Sequence, residues 1–208
     1  MWTQILIMLY FMLFYSFHER MSIVIWNFIW YNLFYSNKKG NNTMKADTRE
    51  NLKEAFASES QANRKYLAFS KKAEEEGYHQ IAKLFRAAAE AETVHAHNHL
   101  RVMKGIRSTK ENLQEAIGGE THEFKQMYPE MIEKAKAEKN NEALQSFSFA
   151  NSVEKIHAGL YTKALENVGK NEELDYYVCP VCGNTVEKGP PEKCPICGAP
   201  GKSFIKIF

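Results

Sequence analysis

Every long helical segment of this chain carries a glutamate on its apolar face, and nothing else in the sequence limits the fold as strongly. In the second segment, Ile81, Phe85, Ala88, Glu92, His95, His99 and Met103 follow at steps of three and four, which is one helix face. In the fourth, Leu144, Phe147, Asn151, Glu154, Ala158, Tyr161 and Leu165 do the same, with His157 beside them. The third has Leu113, Ile117, Glu120, Phe124, Met127 and Met131, with Glu123 one turn beyond Glu120. The first has Leu52, Phe56, Glu59, Asn63, Tyr66 and Ser70. A buried, ionised carboxylate costs several kcal/mol unless it is paired or binds a metal. No set of inward Lys or Arg matches these positions; Arg64, Lys65, Lys71 and Lys72 fall mostly on other faces of the first segment. The carboxylates therefore need another cation.

The helix limits follow from local signals. Asp47-Thr-Arg-Glu50 resembles a capping box and opens the first helix, and Gly77 ends it. The second runs from about His79 to Lys104 and stops at Gly105. Ser108-Thr-Lys-Glu111 is a second capping box, and its helix continues to about Lys139 with a kink at Pro129. The fourth runs from about Asn141 to Val168, before Gly169. Four long helices with short turns predict an antiparallel bundle.

Two Glu-x-x-His pairs, Glu92/His95 and Glu154/His157, plus glutamates from the other two helices form a ligand set for a two-metal centre. A single Glu-x-x-His is common on solvated helices. Two at matching places are not, and the repeat is regular: Glu59 to Glu92 spans 33 residues and Glu120 to Glu154 spans 34. Oxygen donors with a few imidazoles suit iron or manganese better than a structural zinc site. His99 reads as an extra ligand or a supporting group, and His97, His79 and His122 as solvated residues.

The four cysteines all lie in Cys179-Pro-Val-Cys182-Gly and Cys194-Pro-Ile-Cys197-Gly. Their clustering argues against a secreted disulfide framework and for a metal site in a reducing compartment, which places the protein in the cytoplasm. Two such knuckles make a tetrahedral four-thiolate site for either iron or zinc. Tyr177, Val178, Ile196 and Phe204 would coat it.

Residues 1–43 are of another kind. They are dense in Phe, Tyr, Trp, Ile, Leu and Met, and His18-Glu19-Arg20 interrupts them. Neither half reaches the roughly 20 residues of a membrane span, and there is no basic start or small-residue cleavage site. The expectation is that Met44 is the true start and 1–43 an upstream reading-frame artefact. The alternative is a membrane-associated hairpin or anchor, and membrane contact is expected only if the segment is real. The net charge of +2 resides in this segment, and it excludes a strongly basic nucleic-acid binder. No Gly-rich nucleotide motif is present.

From Met44 onward the chain resembles the rubrerythrin family. The resemblance rests on Glu59-Ser-Gln-Ala, Glu92-x-x-His95, Glu120-x-x-Glu123, Glu154-x-x-His157 and the two Cys-Pro-x-Cys-Gly knuckles. It implies an all-α, ferritin-like four-helix bundle over 44–172, plus a small C-terminal β-rich, rubredoxin-like metal domain over 173–208. It further implies that Glu59, Glu92, Glu120, Glu123, Glu154 and His157 ligate an oxidised non-haem di-iron pair, and that His95 replaces Glu123 on one iron upon reduction. Tyr66 and Tyr128 would hydrogen-bond to ligand carboxylates. Cys179, Cys182, Cys194 and Cys197 would hold one iron. The implied activity is reduction of hydrogen peroxide to water, with electrons from a separate rubredoxin- or reductase-type donor linked to NAD(P)H. The implied assembly is a homodimer in which one subunit's rubredoxin-like domain lies near the other's di-iron site. Two other readings stay open: ferritin-like iron oxidation and handling, and a scaffold with a structural zinc ribbon.

Overall fold

The computed structural model describes residues 45–208. The expectations for residues 1–43 and for Met44 lie outside the described residues. The features that bear on function lie in one compact unit, Ala55–Phe208.

Helix α1 is Ala46–Glu75 and α2 is His79–Val102. The helix starts before the anticipated cap, so Asp47 sits inside the first turn, where its charge favours the helix N-terminus. Gly77 takes the left-handed conformation that turns the chain, with φ of 82°. The hairpin is held by a seam of small residues. Ala82, Ala89 and Ala96 recur every seventh residue of α2 and are buried, and Asn63, Ser70 and Ala73 are the buried residues of α1. Asn63 Nδ2 donates across the seam to the Ala89 carbonyl at 2.7 Å and to Thr93 Oγ1 at 2.8 Å. Tyr66, Phe69 and Phe85 form an aromatic cluster on the same hairpin.

Helix α3, Thr109–His122, opens with the anticipated capping box: Ser108 accepts from the Glu111 amide, and the Glu111 carboxylate accepts from the Ser108 amide. The kink assigned to Pro129 takes a definite form. Glu123–Met127 is a π-helical turn, and α4 continues as Tyr128–Ala137. The Tyr128 amide reaches back to the Glu123 carbonyl, one residue further than in an α-helix. Pro129 has no amide hydrogen to donate and sits at the start of α4, where none is needed. Helix α5, Asn141–Glu166, is capped by Asn140, which accepts from the Ala143 amide at 3.1 Å.

The C-terminal module is a three-stranded antiparallel sheet of β1 (Tyr176–Val178), β2 (Thr185–Glu187) and β3 (Ile205–Ile207), in the order β2-β1-β3. Val178 pairs with both Thr185 and Ile205. Among the described residues no helix is long and apolar enough to cross a membrane.

The alanine seam predicts a cost for any larger residue there. Ala89→Leu should destabilise the metal-free protein by about 1–3 kcal/mol through overpacking. Chemical denaturation checks this; an unchanged midpoint would mean that the hairpin is not packed as described.

Candidate metal centres

Three groups of side chains bring donor atoms within 4.8 Å of one another: Cys179, Cys182, Cys194 and Cys197; Glu59, Glu92 and His95; and Glu120, Glu154 and His157.

The cysteine group is built by two similar knuckles. In each, the amide of the glycine after the second cysteine bonds the carbonyl of the first: Gly183 to Cys179 and Gly198 to Cys194, both at 2.9 Å. Those glycines have φ of 83° and 77°, where a side chain would strain the backbone. The thiol sulfurs approach closely, Cys179 to Cys197 at 3.6 Å and Cys182 to Cys194 at 3.5 Å, with no disulfide. Burial opposes ionisation of Cys194, yet the amides of Cys197 and Ile196 donate to it and hold its thiol down to about 6. A thiolate is the form that binds metal. Asn184, fully buried, donates to the Cys194 sulfur at 3.7 Å.

The Glu120 group joins α3 to α5. Burial first, and then the neighbouring Glu154 and Glu123 carboxylates, push the Glu120 carboxyl up to about 7. Among the described residues no Lys or Arg forms an ion pair with Glu59, Glu92, Glu120, Glu123 or Glu154. Glu123 begins the π turn and is half-buried. Tyr128 lies beside these acids; burial and then the Glu123, Glu154 and Glu120 charges raise its pKa.

His157 shows what the site lacks. Its Nδ1 lies 2.8 Å from Glu154 Oε2 and 3.9 Å from Glu120 Oε1. Its Nε2 lies 3.0 Å from Thr185 Oγ1, on strand β2 of the cysteine module. The Thr185 hydroxyl hydrogen is engaged with the Gly183 carbonyl at 3.1 Å, so Thr185 accepts and His157 carries its proton on Nε2. Nδ1 then presents a lone pair to carboxylate oxygens, an arrangement that is repulsive unless a proton or a cation lies between them. This donor set fits an iron or manganese ion.

The Glu59 group repeats the arrangement on α1 and α2, with His95 Nδ1 2.8 Å from Glu92 Oε2. Glu92 is mostly covered, but the His95 side chain is 55% exposed.

The sequence reading anticipated all the members of these three groups. Among the described residues the Tyr66 and Tyr128 hydroxyls make no hydrogen bond to a carboxylate; Tyr66 packs against Phe69 and Phe85, and Tyr128 against Phe147. The cysteine module sits against α5 of its own chain, through Thr185 to His157 and an ion pair of Lys163 with Glu187. Thr185 and Asn184 were not anticipated, because neither belongs to a motif. His79 and His122 are exposed and bond Glu74 and Gln126; His97 is exposed and His99 half-buried.

Residues 50–165 match the family model described as Rubrerythrin, and residues 177–205 match that described as Rubrerythrin, rubredoxin-like domain. Rubrerythrin-2 of Clostridium acetobutylicum is 38% identical over 176 residues, 76% of this chain and 96% of its own length. Nigerythrin of Nitratidesulfovibrio vulgaris is 37% identical over 177 residues, 78% of this chain and 87% of its own. A solved structure of fully reduced, all-ferrous nigerythrin is 34% identical, with a TM-score of 0.49, over 82% of this chain and 91% of its own.

The crowded acids give a signed pH dependence. Without metal, native Glu120 holds its proton up to about 7, against 4.5 ordinarily. The native state binds more protons than the unfolded chain between those values, so stability falls as pH rises through them. Denaturation of the metal-free protein at pH 4.5 and 7 should show this fall, and Glu120→Gln should lessen it; an equal fall in the variant would assign the slope elsewhere.

Proposed function

This chain belongs to the rubrerythrin family, and we propose that it is a peroxidase that reduces hydrogen peroxide to two waters. The family combines a helical, ferritin-like domain holding a non-haem di-iron carboxylate centre with a small rubredoxin-like iron domain. Its members are generally oxidoreductases. We assign the bundle to 44–172 and the rubredoxin-like domain to 173–208.

The observation that carries the reading is the contact between the two metal sites. Cys182 is followed by Gly183, whose carbonyl accepts from Thr185, whose oxygen faces His157. A storage protein needs no returning electrons, and a scaffold needs no bond between a thiolate module and a carboxylate site. In our reading Glu59, Glu92, Glu120, Glu154 and His157 would hold the di-iron pair, with Glu123 and His95 as alternative ligands to one of its metals. The four cysteines hold the single iron. Held by these residues, a di-iron pair would supply two-electron redox chemistry toward peroxide, and a single iron held by the four cysteines would supply one-electron chemistry. The chain's own residues set the conditions. The carboxylates neutralise ferric charge. Thr185 fixes the His157 tautomer, so that Nδ1 faces the metal site. Tyr128, kept protonated by burial and by its acidic neighbours, stands ready as a donor beside Glu123. Two protons complete the balance with two electrons. The electron acceptor is hydrogen peroxide and the electron donor a rubredoxin- or reductase-type protein, the assembly is a homodimer, and the setting is cytoplasmic.

Two variants test this reading. Glu154→Ala should abolish di-iron binding and peroxide turnover while leaving the visible band of the four-thiolate site intact; normal turnover would sink the ligand assignment. Thr185→Val should slow reoxidation of the four-thiolate iron by peroxide at least several-fold, and Thr185→Ser should restore it. Equal rates in all three proteins would remove Thr185 from the route.

A further inference from the structure

The six grouped carboxylate and imidazole ligands fall into two triads, and each triad belongs to one helix pair. Glu59, Glu92 and His95 come from α1 and α2; Glu120, Glu154 and His157 come from α3 and α5. Among the described residues the donor atoms of the two triads form separate groups. No group takes donors from both pairs, although a closed di-iron centre would gather all of them.

The ligand-bearing side of the first pair is also open. The seam between α1 and α2 is complete, with Ala82 and Ala89 at 0% and 1% exposure. The face carrying Glu92 and His95 is a different one. There Ile81 is 48% and Leu84 66% exposed, and Phe69 and Val94 are exposed nearby. A bundle that had closed on itself would bury this face.

Its occupant must bring apolar side chains and the missing half of a ligand set. The α3–α5 pair offers both, and a second copy of the chain presents the same pair. Two copies exchanging their first hairpins about a two-fold axis close both bundles and leave no half-site unmatched. We propose that each di-iron centre is built between two chains, with Glu59, Glu92 and His95 from one copy and Glu120, Glu123, Glu154 and His157 from the other. The inference rests on the ligand reading given above. It also accounts for the cysteine module sitting on its own α5: the module serves the centre that its own α3 and α5 half-build.

Complementation tests the exchange. One variant carries Glu59→Gln and Glu92→Gln, the other Glu120→Gln and Glu154→Gln, with different affinity tags. The two are co-expressed, the mixed dimer is isolated, and iron is counted beyond that of the four-thiolate sites. Exchange puts both defects in one bundle and leaves the other intact, so the mixed dimer recovers half of the wild-type di-iron content. No recovered iron would overturn the proposal, because a centre closed within one chain is defective in both. Full di-iron content in either variant alone would overturn the ligand reading and the proposal with it. Sedimentation of the iron-loaded wild-type protein is a second measurement that needs no variant, and a monomer holding the full complement would also overturn the exchange. Iron counting is independent of turnover, so failure of the peroxidase reading alone would leave these outcomes unchanged.

Discussion

The structure depends on carboxylates gathered where, among the described residues, no Lys or Arg pairs with them. Burial, and then the Glu154 and Glu123 carboxylates, keep a proton on Glu120 to about 7, and among the described residues the cationic candidate beside it is His157. That histidine is committed by Thr185 to the tautomer whose lone pair faces the acids. A polyvalent metal resolves the repulsion, and few other groups could. The cost of holding these acids together in the metal-free fold is the reserve from which metal affinity comes, since each ligand sits near its partners before the ion arrives.

The rest of the fold serves that grouping. The alanine seam brings α1 and α2 close enough for Glu59 to meet Glu92 and His95. The π turn at Glu123–Met127 inserts an extra residue into the ladder just after Glu120, and such turns recur at functional sites. The cysteine module packs its strand β2 onto α5, and the residue that touches His157 lies three positions after a thiolate ligand. The two metal sites are thus joined through one short covalent and hydrogen-bonded route.

Much of this was legible in the sequence because the signals are local. The Ser108 capping box, the glycine at 77 and the two knuckles depend on a few neighbouring residues, and they appear as read. The Glu-x-x-His spacing put each pair on adjacent turns, and each imidazole does meet its glutamate at 2.8 Å. What escaped depends on tertiary placement. Asp47 lost its capping role because the helix began a residue earlier. Thr185 lies 28 residues from His157, and no motif links them. The stripe of Ile81, Glu92 and His95 reads as a core face from periodicity, but periodicity does not tell which chain covers it.

The central claim is that electrons leave the four-thiolate iron through the carboxylate centre to peroxide. The most direct measurement is optical: residues 44–208 are loaded with iron, reduced without oxygen, and mixed with one equivalent of hydrogen peroxide while the visible band of the ferric four-thiolate site is followed. The account predicts that the band returns rapidly, and faster with peroxide than with dioxygen. A band returning no faster with peroxide than with air would contradict it and favour iron handling.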